Sequence, residues 1–258
     1  MRLGKRWTRF APMSLVIAGA LLTAGTAYAD QPPVTADIAA GSNLFHNGKP
    51  GVSPCQSCHG PHGMGIDAMQ TPRNQNLGYA YTVKQLVNFR SGARQDLTLG
   101  VMGVFAKQMT DQDIRNVAAY LNTIPDDWKD LSDLDALKAG GTAVGVAYKG
   151  MEIVRYGKPS RGITACQTCH QYDGRGAGPI YPRIAEQKYV YLVNMLHHWR
   201  AKERTNDPLG QMRAVASHLT DDDIINVATF LSHARITAIG DTYIPPNDSV
   251  LANVDVKR

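Results

Sequence analysis

The chain contains one unit of sequence written twice, and this duplication limits the possible folds more than any other feature. Cys55-Gln-Ser-Cys-His59 returns as Cys166-Gln-Thr-Cys-His170, and the two pentapeptides hold all four cysteines. Further along, Thr110-Asp-Gln-Asp-Ile-Arg-Asn-Val-Ala118 matches Thr220-Asp-Asp-Asp-Ile-Ile-Asn-Val-Ala228. The matched positions stay 110 or 111 residues apart. This spacing indicates a tandem duplication of a small domain rather than a solenoid of short repeats.

Each copy has the sequence pattern of an α-helical domain. Thr110 and Thr220 are predicted N-caps, with Asp113 and Asp223 three residues later in a capping-box arrangement. Apolar residues follow at helical spacing, and no run of alternating strand pattern is present. Further helices are predicted over 79–90 and 189–200 and over a short turn at each cysteine pair. The predicted fold class is all-α, with two tandem domains.

The first 29 residues are predicted to be an export signal. Four basic residues precede an apolar run from about Leu15 to Leu22, and Ala27-Tyr28-Ala29 provides the small residues that a signal peptidase recognises. An uncleaved membrane anchor is the alternative, but the run is shorter than the ~20 apolar residues that a spanning helix needs. We therefore expect cleavage before Asp30 and a periplasmic location.

The duplication and this signal divide the chain into five predicted segments. They are the signal peptide (1–29), a first copy (30–125), an acidic linker (126–144), a second copy (145–240) and a C-terminal tail (241–258). The whole chain has 27 basic and 22 acidic residues, and four of the basic ones lie in the signal. The mature chain would carry 23 basic residues against 22 acidic ones. Its balanced charge argues against nucleic acid as a partner.

The two cysteine pentapeptides admit three interpretations. Disulfides are common in exported proteins, and Cys-x-x-Cys pairs also serve as half-sites for zinc, but neither use explains the histidine after each pair. Covalent attachment of haem c explains both cysteines and the histidine of each pentapeptide. Cys55 and Cys58, like Cys166 and Cys169, would face the same side of a helical turn and hold one porphyrin. His59 and His170 would then be the proximal ligands of two haem irons.

The duplication also selects candidates for the sixth ligand of each iron. Met102 and Met212 occupy matched positions, each eight residues before the N-cap threonine, and both are predicted to lie on loops. Ordinary core packing is the alternative for both residues. His197 and His198 are rival ligands, but their counterparts are Val87 and Asn88. Histidine–methionine ligation suits electron transfer, whereas an open sixth site suits binding or catalysis.

These residues resemble the dihaem cytochrome c4 family, in which two cytochrome c domains pack about a pseudo-twofold axis. The resemblance rests on the paired motifs, the glycine-rich loop after each, Tyr181-Pro-Arg183 and the methionine before each Thr-Asp-x-Asp segment. It implies two covalently bound haems and periplasmic electron transfer. The implied partners are redox proteins or membrane respiratory complexes: a quinol-oxidising complex, a terminal oxidase or a periplasmic dehydrogenase. Peripheral membrane association is also compatible with this function.

Two functional alternatives remain open on the sequence alone. The chain could be a dihaem enzyme of the peroxidase or sulfur-compound dehydrogenase type, with one exchangeable haem ligand, or a cytochrome subunit of such an enzyme. Matched methionines in both copies favour a carrier over an enzyme. Pro72 and Pro182 are predicted to orient the proximal histidines through a backbone carbonyl. The duplicated arginines, Arg73, Arg90, Arg183 and Arg200, are candidates for contact with the haem propionates.

Overall fold

The structure, a computed structural model, describes residues 35–125, 130–178 and 180–236, which are helical with connecting loops. The predicted signal peptide and tail therefore lie outside the described residues. Within the described ranges there are isolated β-bridges but no strands. The α-helices are α1 (Ile38–Asn47), α2 (Gln56–His59), α3 (Tyr79–Ser91), α4 (Met102–Lys107), α5 (Asp111–Thr123), α6 (Leu134–Ala139), α7 (Ala147–Tyr156), α8 (Gln167–His170), α9 (Tyr189–Arg200), α10 (Gln211–Ala216) and α11 (Asp221–Leu231).

The first and last helices of each copy cross in close contact. α1 packs on α5 and α7 packs on α11. Glycine permits both crossings: a Cβ added to Gly41 would lie 2.0 Å from the carbonyl oxygen of Asn116, and one added to Gly150 would lie 1.9 Å from that of Asn226. The sequence pattern does not predict α1 or α7, because an interior glycine weakens a helix pattern.

The predicted capping boxes are present in both copies. The Thr110 side chain accepts a hydrogen bond from the backbone N–H of Asp113, and Thr220 does the same for Asp223. These caps satisfy backbone donors that a helix start leaves unpaired. The helices predicted over 79–90 and 189–200 are also present, as α3 and α9, and the cysteine turns are present as α2 and α8.

The segment before the second copy packs against it. α6 begins after Asp133, whose side chain caps Ala136, and Leu134 and Leu137 contact the second hydrophobic core. The linker prediction allowed for one helical turn at most, but six residues are helical. The boundaries of linker and copies remain predictions. No helix in the described ranges combines the length and the apolar character needed to cross a bilayer.

Candidate haem sites

Each copy encloses a cavity that brings the predicted haem-binding residues together. The first cavity, of about 570 Å³, is lined by Cys55, Cys58, His59 and Met102. The second, of about 170 Å³, is lined by the four equivalent residues, Cys166, Cys169, His170 and Met212. Both walls are mostly apolar. The structure thus gathers all eight predicted residues into two matched sites.

Side-chain size accounts for the difference between the two cavities. Where Thr71 and Phe89 line the first, the matched Tyr181 and Trp199 line the second. Pockets that hold organic ligands usually enclose ~300–1,000 Å³. The first cavity lies in that range.

A backbone carbonyl orients each proximal histidine. The Nδ1 atom of His59 lies 3.1 Å from the carbonyl oxygen of Pro72, and that of His170 lies 2.8 Å from the carbonyl oxygen of Pro182. A carbonyl can only accept, so the proton sits on Nδ1 and the lone pair of Nε2 is available to a metal. Burial lowers the pKa of both imidazoles, although the carbonyl contacts oppose this shift. The predicted contact of each proline with its histidine is therefore confirmed.

The four cysteines are free thiols without disulfides. Cys55 and Cys166 immediately precede the one-turn helices α2 and α8, on which Cys58 and Cys169 lie. Burial raises the pKa of the Cys55 and Cys166 thiols to about 11. In the described ranges no group of three or more His, Cys, Asp or Glu side chains could hold a bare metal ion. Two free thiols and a histidine on each cavity wall fit covalent attachment of an organic group.

The predicted loop positions of Met102 and Met212 are wrong. Met102 begins α4, and Met212 lies in the first turn of α10. An aspartate that sequence analysis overlooked explains the first helix start. The Asp96 carboxylate accepts hydrogen bonds from the backbone N–H groups of Val101 and Met102, at 3.0 and 3.2 Å. In the second copy the counterpart of Asp96 is Asn206, and the next residue, Asp207, accepts hydrogen bonds from the backbone and guanidinium of Arg213.

The rival histidines and two of the candidate arginines lie away from the cavities. His198 contacts Glu203, and His197 contacts Arg200. The two arginines pair with carboxylates at the start of the last helix of each copy, Arg90 with Asp111 and Arg200 with Asp221. Neither these two histidines nor these two arginines line either haem cavity.

Of the four candidate arginines, Arg183 lines the second cavity, and two arginines that were not among the candidates, Arg94 and Arg204, line the cavities as well. These two lie 110 residues apart in the sequence, so a matched-position search for cations could have found them. Each reaches across to a tyrosine of the other copy: Arg94 donates to the Tyr191 hydroxyl at 2.9 Å, and Arg204 to the Tyr81 hydroxyl at 3.3 Å. These residues lie where the two cavities approach each other, since Tyr81, Tyr191 and Arg204 line both.

This buried cluster carries an excess of positive charge. Lys84 lies beside the two arginines, and burial together with their charge lowers its pKa to about 8, an effect that Asp207 partly opposes. The Nε atom of Arg94 is buried and has no hydrogen-bond partner among the described residues. Buried charge is costly unless it is compensated. Haem has parts that match the three kinds of group at the cavities. Its two carboxylates match the cations, its apolar ring matches the apolar walls, and its iron matches the histidine and methionine.

Comparison with known proteins agrees with this geometry. The family model for cytochrome c matches residues 38–125 and 161–235. The chain is 32% identical to a "thiosulfate dehydrogenase electron acceptor" of Stutzerimonas stutzeri, over 77% of the chain and 88% of that protein. It is 34% identical to cytochrome c4 of Thiocapsa roseopersicina, over 69% of the chain and 85% of that protein.

A solved structure shows the same fold. Reduced cytochrome c4 from Pseudomonas stutzeri superposes with a TM-score of 0.61 at 26% identity, covering 76% of this chain and 98% of that one. Both copies therefore have a cytochrome c fold, and each is expected to hold one covalently bound haem c. With two such domains in one polypeptide, the chain belongs to the cytochrome c family and, within it, to the dihaem electron-carrying cytochromes c4.

Proposed function

We propose that the protein is a periplasmic carrier that passes single electrons between redox partners through two haems with histidine–methionine ligation. The observation that carries this proposal is the composition of each cavity wall. Each combines two thiols, a histidine with a free Nε2 lone pair and a methionine sulfur. Methionine beside histidine raises the potential of a haem and closes its sixth coordination site. A closed site favours electron transfer over binding or catalysis.

Four side chains in each copy would hold one haem. Cys55 and Cys58 would attach the first haem, and His59 and Met102 would hold its iron. Cys166, Cys169, His170 and Met212 would do the same for the second. Bound haem supplies a one-electron ferric–ferrous couple. The apolar walls exclude water, and Arg94 and Arg204 offer positive charge to the carboxylates.

A partner that oxidises sulfur compounds is supported by one observation. The similar Stutzerimonas stutzeri protein is a thiosulfate dehydrogenase electron acceptor by name, and it aligns with most of this chain. We infer that a periplasmic dehydrogenase of this class is a candidate electron donor, beside quinol-oxidising complexes, with a terminal oxidase as a candidate acceptor. The name of this relative is also compatible with the second candidate function, a cytochrome subunit or dihaem enzyme with one exchangeable ligand.

Optical spectra of single-ligand variants test the carrier proposal. Methionine–iron coordination gives ferric cytochrome c a weak absorption band in the red. We expect Met102→Ala to remove about half of this band and Met212→Ala the other half, because each methionine serves one of two haems. Met64→Ala, which removes a buried methionine that lines neither cavity, is the matched control and should keep the full band. A high-spin haem that binds carbon monoxide in the unmutated protein would support the enzyme instead.

A further inference from the structure

One peptide group joins the two copies behind His59. Its carbonyl, from Pro72, accepts the Nδ1 proton of His59 at 3.1 Å. Its N–H, from Arg73, donates to Oε1 of Gln187 at 2.6 Å. Gln187 belongs to the second copy, so a chain of two hydrogen bonds runs from the first proximal histidine across the interface. Hydrogen bonds in series polarise and strengthen one another.

The contacts of Gln187 fix which end of its amide faces Arg73. Oε1 also accepts from the backbone N–H of Lys188 at 2.8 Å, and Nε2 donates to the carbonyl oxygen of Arg73 at 2.9 Å. Two backbone donors on one atom and a carbonyl on the other leave only this orientation. Gln187 and Arg73 are both buried, so water does not compete for these bonds.

The residue before Gln187 holds the side chain of the same arginine. Oε2 of Glu186 lies 2.9 Å from Nη1 of Arg73, and Arg183 donates to the same carboxylate. The φ angle of Glu186 is 56°, in the left-handed region that favours glycine and asparagine, and the matched residue in the first copy is Asn76. A glutamate at such a position points to a role for its carboxylate. It fixes Arg73, and with it the peptide group that faces His59.

The arrangement is one-sided. The counterpart of Gln187 in the first copy is Leu77, whose side chain has no acceptor. The Pro182 carbonyl still accepts from His170, but Leu77 cannot polarise it through the N–H of Arg183. Leu77 therefore offers no side-chain bond equivalent to the one that Gln187 makes.

We propose that Gln187 is a positioning residue for the first haem site and lowers the reduction potential of that haem. By accepting the Arg73 N–H it makes the Pro72 carbonyl a stronger acceptor, which gives the His59 imidazole more anionic character. A more basic imidazole stabilises ferric over ferrous iron. This inference rests on the proposed function, because it requires His59 to be an iron ligand.

We expect two substitutions at position 187 to shift the reduction potential of the first haem in opposite directions. Gln187→Leu removes the acceptor and should raise the first potential, with up to about a tenfold increase in the equilibrium constant for reduction, or 59 mV for one electron. Gln187→Glu keeps an oxygen and adds charge, so it should lower the first potential. Potentiometric titration followed by NMR of the haem methyl protons separates the two haems, and the Met102→Ala spectrum identifies the first. Gln187 also lines the second cavity, so the charge of Gln187→Glu should lower the second potential as well. In Gln187→Leu, which adds no charge, the second potential should move less than the first.

A matched control removes a different bond across the interface. Asn194 donates to Oε1 of Gln70 at 2.8 Å in an exposed bond that involves neither proline carbonyl. Asn194→Leu should leave both potentials unchanged. Equal shifts of both haems in Gln187→Leu, or no shift in the first, would overturn the proposal and leave Gln187 a packing residue.

A measurement on the unmutated protein tests the hydrogen bond to Gln187 even if the variants do not fold. In the reduced, diamagnetic form the Arg73 amide proton should resonate downfield and exchange slowly, because its hydrogen bond is short and buried. Fast exchange at Arg73 would contradict the proposal directly. Failure of the proposed function would show differently, as a missing methionine–iron band or a histidine other than His59 on the iron.

Discussion

The two copies share their framework and differ in the polar groups that surround their cavities. Each crosses its terminal helices at a glycine, starts its last helix with a capping box and turns its histidine toward a proline carbonyl. The hydrogen-bond and ion-pair partners around that framework differ between the two copies. His46 contacts Gln56 and Tyr120 in the first copy, where Arg155 pairs with Asp173 in the second.

This difference teaches which positions the fold requires and which it leaves open. The shared positions satisfy backbone groups or permit close packing, so both copies need them whatever haem they hold. The divergent positions carry charge and hydrogen bonds near the cavities, which are the features that tune haem potentials. One fold can therefore present two haems in unlike surroundings.

The largest expected effect comes from filling a helix crossing. Gly150→Ala should destabilise the second copy by about 3 kcal/mol or more, because its Cβ would lie 1.9 Å from the Asn226 carbonyl oxygen and the helices must separate. Gly41→Ala should do the same to the first copy. Urea unfolding monitored by circular dichroism measures both. Gly140→Ala, whose Cβ would meet nothing nearer than 3.4 Å, is the control and should be close to neutral. Equal stability of all three variants would contradict the shared crossing.

Substitution of the capping aspartates should destabilise the two copies by different amounts at neutral pH. Asp223 is nearly buried and pairs with Lys158 and Arg161, whereas Asp113 is 23% exposed and pairs with Lys49. We expect Asp223→Asn to cost about 3 kcal/mol and Asp113→Asn about 1 kcal/mol in the free energy of unfolding. The measurement is urea unfolding at pH 7. Similar losses in the two variants would show that the additional cation beside Asp223 contributes little.

Acid should erase this difference. Burial raises the pKa of Asp223, but hydrogen bonds from Lys158 and Thr220 outweigh burial and hold that pKa well below its usual range. A carboxylate with a lowered folded pKa stabilises the protein above its unfolded pKa of ~3.9 and loses this contribution as pH falls toward the folded value. Unfolding titrations below pH 4 should therefore bring Asp223→Asn and the unmutated protein together. A constant gap would contradict the ion-pair explanation.

The smallest expected effect concerns the start of the two methionine helices. Asp96 accepts from the backbone of Met102 itself, whereas Asp207 accepts from Arg213, one residue after Met212. Asp96→Asn should cost about 1 kcal/mol and weaken the methionine–iron band of the first haem. Asp207→Asn should change the band of the second haem less. Red absorption spectra of the ferric proteins compare them, and a larger loss in Asp207→Asn would reverse the proposed order.

Local sequence signals were sufficient for much of the fold and for choosing eight residues that line the two cavities. Thr110 and Asp113 lie one turn apart, so the capping box is readable without any tertiary information. The pentapeptides likewise carry their spacing within five residues, and duplication selected Met102 and Met212 from the nine methionines. Structure then placed these residues around common cavities, which spacing alone could not do.

The rest depends on contacts between distant residues. Nothing near Arg94 in the sequence indicates Tyr191, and nothing near Arg73 indicates Gln187, because the partners belong to different copies. Gly41 weakens the local helix signal for the same reason that it is needed, since only a residue without a side chain lets α1 approach Asn116. The start of α4 was missed because its cap, Asp96, precedes Met102 by six residues of irregular loop.

The crossing of first and last helices also sets an order of events during synthesis. Neither copy can complete its helix pair until its final helix has been made, because α1 packs on α5 and α7 packs on α11. Contacts of such long sequence separation slow folding. The first copy can close once residue 123 is available, but Glu186 and Gln187 arrive only later. A newly made first copy would therefore acquire its final proximal-histidine environment when the second copy folds against it.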